Sequence, residues 1–149
     1  MNKQETEWIF LFAVIAVGAW VCLGFVRVLL MTRRLRRLAV SRSAVKDQLR
    51  TEFIAYCVDH GLPLEVAEKG YEYLAGITPG QIGGFPIGLN DHIYRVLNFD
   101  RGEIDTIAED LAGVCMCKVQ WDSDAAEIKE PRVRDLLDLI LRWRGLKSA

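Results

Sequence analysis

The chain has 149 residues, 51% of them hydrophobic, with a formal charge of −1 and four cysteines. That length holds one small domain and its appendages. The cysteines exclude a secreted disulfide framework: Cys22 falls in an apolar run, Cys57 in a helical pattern, and Cys115 and Cys117 lie one residue apart, the spacing of neither a zinc knuckle nor a thioredoxin motif.

Residues 1–7 carry Lys3 against Glu5 and Glu7 and read as a short tail outside a membrane. From Ile9 to Val26 the chain reads IFLFAVIAVGAWVCLGFV, without a charge, and the apolar run continues past Arg27 to Met31. About 20 such residues cross a hydrocarbon core as a helix. A transmembrane helix is expected over 8–31, with Trp8 at one interface and Arg27 snorkelling to the other. A cleaved signal is not expected. There is no basic n-region, the run is too long, and Trp20 stands where a lipoprotein box needs a small residue. Gly18 and Cys22 form a small-xxx-small pair, a candidate for packing of the span and for a homodimer through it.

Orientation follows from charge. Residues 27–50 hold eight basic residues and one acidic, a net +7: Arg27, Arg33, Arg34, Arg36, Arg37, Arg42, Lys46 and Arg50 against Asp47. Basic flanks stay cytoplasmic, so the N-terminus is expected outside and the rest inside, in a membrane of the bacterial inner type. The basic stalk, 32–43, should lie against anionic headgroups, with Arg27, Arg33, Arg34, Arg36, Arg37 and Arg42 as the surface residues. Residues 51–149 carry ten basic and seventeen acidic residues, a net −7, so nucleic acid is excluded as the ligand of the domain at 44–149 and a basic protein partner is favoured.

No Gly or Pro occurs from Phe25 to His60, and Leu35, Leu38, Val45, Leu49, Phe53 and Tyr56 recur at helical spacing. The pattern predicts a near-continuous helix to His60, ended by Gly61; a break near Ser41 and Ser43 is the alternative. Pro63 opens a second helix to about 75, packing Ala67, Tyr71 and Leu74. Residues 76–90, GITPGQIGGFPIGLN, hold five glycines and two prolines and read as a long loop without a phosphate-binding motif. Residues 91–97 read as a short helix or turn.

Asp100 and Glu103 have the spacing of a capping box, and Ile104, Ile107, Ala108 and Leu111 line one face of a helix over 101–113. Asp100, Glu103, Asp105, Glu109 and Asp110 form a candidate acidic docking face; the bland alternative is a solvated one. Residues 114–121, VCMCKVQW, could be extended. Pro131 opens a last helix to about 144, burying Val133, Leu136, Leu137 and Ile140. The class is therefore all-α: a spanning helix, then a small bundle of four to five helices.

The element order over about 46–144, and the residues over about 90–141, resemble the acyl carrier protein family. "VLNFDRGEIDT" stands where that family has Leu-Gly-x-Asp-Ser-Leu-Asp, and "PRVRDLLDLI" stands where its last helix opens. The resemblance implies a helical carrier fold with an acidic face for basic patches on partner enzymes. It also implies a serine for phosphopantetheine, and here the sequence departs. Asp100 matches the Asp, but Arg101, Gly102 and Glu103 occupy the serine region, and no serine occurs between Ser43 and Ser123. No cofactor is expected.

Other chemistry is poorly supplied. His60 and His92 are the only histidines, and a Cys57–His60 pair lacks a third member. No catalytic residue and no metal ligand is assigned. The expected function is a membrane-anchored, non-catalytic docking or adaptor module. The alternatives are a membrane-tethered carrier or small accessory enzyme of acyl metabolism, and a structural subunit of a larger membrane complex.

Overall fold

The computed structural model describes residues 3–78, 84–119 and 131–145. Those residues are helices and connections, with one isolated antiparallel bridge, His92 to Arg132, in place of any sheet. The chain divides into two compact units, Met1–Arg34 and Leu35–Ala149.

The first unit belongs to α1, Lys3–Arg42. Every residue from 12 to 30 is exposed, including Phe12, Trp20, Leu23 and Phe25 at 65–78% of their full area. This helix is long and apolar enough to cross a membrane.

The second unit is built on four helices: α2 (Lys46–Asp59), α3 (Leu64–Ile77), α4 (Arg101–Val114) and α5 (Val133–Trp143). Consecutive helices pack against one another, α2 on α3, α3 on α4 and α4 on α5. The periodic residues do what their spacing requires. Ala67, Tyr71 and Leu74 of α3, Ile107, Ala108 and Leu111 of α4, and Val133, Leu136, Leu137 and Ile140 of α5 are all buried. Each fully buried aliphatic side chain contributes about 1.5–3 kcal/mol of transfer free energy. The exception lies on α2 and just before it: Phe53 is buried, Leu49 and Tyr56 are half-buried, and Val45, preceding the helix, is exposed.

The connections follow or amend the sequence expectation one by one. The helix is near-continuous to Asp59, with a 3-10 turn, Ser43–Val45, between α1 and α2 near the alternative break at Ser41 and Ser43. The core begins before residue 44, because Leu35 and Ala39 of α1 are each 3% exposed within it. Residues 91–97 take the turn of their two expected forms, with Asn98 at φ 61°. At 114–119 the chain is not extended. Val114 still belongs to α4, the helix closes through Cys115 with Met116 at φ 55°, and 120–121 lie outside the described residues.

The glycine-rich stretch is partly helical at its start, and its later half is packed. Gly76 and Ile77 belong to α3, residues 79–83 lie outside the described residues, and Phe85 and Ile87 are fully buried. Gly84 needs its glycine: φ is +84°, and a Cβ would approach that of Ala75 to 3.3 Å. The same connection supplies acceptors for the free amides that open α5. Val133 N–H donates to Asp91 O (3.0 Å), Arg134 N–H to Leu89 O (2.9 Å), and Arg132 N–H to the Asp135 carboxylate (2.8 Å).

Candidate functional site

The acidic face is built on α4. Asp100 caps the helix in extended conformation. Its Oδ1 accepts the Glu103 amide at 2.9 Å, and the Glu103 carboxylate accepts the Asp100 amide at 2.7 Å. Both carboxylates also sit at the positive end of the helix dipole. Arg101–Glu103 is thus the first turn of a capped helix.

Further along α4, Asp105, Glu109 and Asp110 are exposed. Asp110 accepts a hydrogen bond from the Tyr73 hydroxyl of α3 at 2.8 Å. Burial, then that bond, pushes the Tyr73 phenol up to about 12. The five carboxylates therefore share one helix but not one role. Asp100 and Glu103 close its end, Asp110 ties it to α3, and Asp105 is exposed.

The arginines divide as well. Arg33, Arg34, Arg36 and Arg37 are exposed, and Arg27 lies among the exposed residues of the first unit. Arg42 does not present its charge as a headgroup ligand would. Its guanidinium grips Asp91 through two bonds, 2.6 and 2.7 Å, donates a third to Pro86 O at 3.2 Å, and lies 5.8 Å from the Phe85 ring centre. The bond to Asp91 holds the Arg42 pKa above its ordinary value despite partial burial. Asp91 itself is 6% exposed and also accepts the Gly88 amide at 2.8 Å. Forked, charge-assisted pairs of this kind are among the stronger polar contacts in proteins. The signal for it lies in the spacing of Leu35, Ala39 and Arg42, which places the arginine on the buried face of α1.

A second cluster joins α2 to α5. The Tyr56 hydroxyl donates to Asp138, Arg134 Nε donates to the same hydroxyl at 3.3 Å, and the Arg134 guanidinium covers the Tyr56 ring at 5.1 Å. The His60 ring stacks on Tyr56 at 4.2 Å, and its Nδ1 lies 2.7 Å from Tyr56 O. The Nδ1 of His60 is thereby engaged by the backbone of α2.

The cysteines have the character of core residues. Cys57 and Cys115 are 1–2% exposed, and burial pushes both thiols up to about 12. A nucleophilic thiol needs the opposite shift. Cys117 is half-buried, with Sγ 3.4 Å from Cys115 O. Among the described residues no three His, Cys, Asp or Glu side chains are grouped to hold a metal. Gly18 and Cys22 lie on the exposed surface of α1, and a Cβ at Gly18 would meet nothing within 4 Å.

Two hollows lie in the second unit. Leu74, Ile93, Leu97, Phe99, Ile107 and Leu136 meet in an apolar crevice with no room for a water. A cleft of about 470 Å³ beside α2 and α3 is edged by Lys46 and Arg50 against Asp47 and Glu72, with no net charge. Arg50 there reaches Glu68 at 3.4 Å and Glu72 at 3.8 Å.

Comparison with protein-family models, with curated proteins and with solved structures returned no match.

Proposed function

We propose that the chain is a single-pass membrane protein whose helical second unit is a non-catalytic docking module for a protein with a basic surface. The observation that carries the reading is the uncovered apolar helix. Nineteen consecutive residues, 12–30, are exposed, and hydrocarbon is the environment in which such a surface is stable. The exposed Arg33, Arg34, Arg36 and Arg37 suit an anionic, cytoplasmic headgroup layer of bacterial inner-membrane type. The N-terminus then lies outside and the helical unit inside.

The docking reading rests on α4. Its exposed Asp105 and Glu109 stand beside Asp110, in a region with an excess of seven negative charges. Anchoring raises the effective concentration of such a face at the membrane without any new contact. The resemblance to acyl carrier proteins supports the same use of the helix. The capped Arg101–Gly102–Glu103 turn offers no hydroxyl for a prosthetic group. The non-catalytic reading is supported by thiols pushed up to about 12 and by a His60 turned to its own backbone.

The test is a pull-down with the full chain in mild detergent, comparing wild type with Asp105→Lys/Glu109→Lys. Selective loss of a captured partner, with the helical content unchanged, is expected. Capture that is indifferent to the reversal refutes docking through α4. A pantetheine-sized mass increment on protein from its native host refutes the non-catalytic reading.

A further inference from the structure

We propose that residues 43–45 are a joint whose tight turn is imposed by the Arg42–Asp91 clamp, and that release of the clamp returns the joint to α-helix and merges α1 with α2. This inference does not depend on the docking reading.

Local chemistry gives no reason for the turn. There is no Gly or Pro from Phe25 to His60. Neither the 3-10 turn nor α2 has a side-chain cap at its start. Ser41 and Ser43, the residues best suited to break a helix by capping, instead donate back to Leu38 O (2.8 Å) and Val40 O (2.7 Å), a pattern at home inside a helix. Nor does the turn bury anything, since no residue of 43–45 is buried and Val45 is 41% exposed. Yet the backbone departs from α values on both sides: Arg42 is at φ −94°, ψ −4° and Val45 at φ −114°, ψ 11°. A stretch of 3-10 geometry inside an otherwise helical sequence marks strain or a hinge.

Long-range contacts supply the reason. The connection 85–91 grips the chain on both sides of the turn. Before it, Arg42 is held by Asp91 and Pro86 O. After it, Leu49 packs against Gly88, its Cδ2 3.3 Å from where a Cβ on that residue would stand. Gly88 is bound in turn to the Asp91 carboxylate through its amide. One short connection therefore sets the positions of both helix ends, and the three residues between them take the longer rise per residue of a 3-10 turn.

The test uses the full chain in nanodiscs, with backbone carbon shifts and amide exchange of residues 43–48 as readouts. In Asp91→Asn the Val45 Cα shift is expected to move to the helical range, and amide exchange at 45–48 to slow about fivefold, as one regular bond is gained. Arg42→Gln, which leaves Asp91 bonded to Gly88, is expected to do the same. Shifts of Tyr71, Leu111 and Ile140 report whether the rest of the unit stays folded. Val45 unchanged in both variants, with those reporters native, overturns the proposal. Loss of the native reporters in both variants also overturns it, because the pair is then a structural staple and not the hold on a joint.

Discussion

Replacing Asp100 by Ala isolates the structural role of the acidic helix from its proposed docking role. The substitution removes the acceptor of the Glu103 amide, 2.9 Å away, and leaves that amide of the first turn to water, since Asp100 is exposed. Loss of such a cap costs about 1 kcal/mol, with a range of about 0.5–2. The Glu103 carboxylate can still accept the backbone amide of residue 100, so only half of the box is lost. With a urea slope of about 1–2 kcal/mol per molar for a unit of this size, the midpoint falls by about 0.5–1 M. Pulse proteolysis of the full chain in mild detergent reads this midpoint for the second unit while α1 stays shielded. Asp100→Asn, which keeps an acceptor oxygen, should retain most of the wild-type midpoint. An Ala variant as stable as wild type would refute the capping account of this end of α4.

Other outcomes follow from the same contacts. Leu111→Ala, at a fully buried position beside Gly70, should cost about 2–5 kcal/mol in the same assay. Iodoacetamide at pH 8 should leave Cys57 and Cys115 unmodified in the folded chain and alkylate both in denaturant, read by peptide mass, because their folded pKa lies at about 12. Folding raises these acids above their unfolded values, so their contribution to stability is complete below pH 9 and lost as pH rises toward 12. Tyr73 follows the same sign over pH 10–12, and Asp110→Asn should lower its absorbance titration midpoint, since the carboxylate is one of the groups raising it.

Much of the second unit was legible where order depends on neighbours in sequence. The Asp100–Glu103 box is a reciprocal bond between residues three apart, and the buried faces of α3, α4 and α5 repeat at helical spacing. What was not legible depends on distant partners. Arg42 reads as one more residue of a basic flank until the chain brings Asp91, 49 positions away, to its guanidinium. A break near Ser41 and Ser43 was legible as an alternative, but neither serine caps a helix there, since both donate back to Leu38 O and Val40 O. For residues 91–97 the choice of turn over short helix depends on such partners: Ile93 N–H donates to Pro131 O, and Asp91 O takes the Val133 amide. On α4, Asp105 and Asp110 are the same residue type on one helix, and only the tertiary contact with Tyr73 separates their roles.

The account stands on the uncovered helix at residues 12–30. Its most direct test follows the full chain in bacterial cells through a C-terminal epitope, by alkaline carbonate extraction of membranes and by protease added to spheroplasts. The chain should remain in the carbonate pellet, and the epitope should survive protease until the membrane is opened with detergent. A chain released by carbonate, or an epitope lost from intact spheroplasts, would contradict the account.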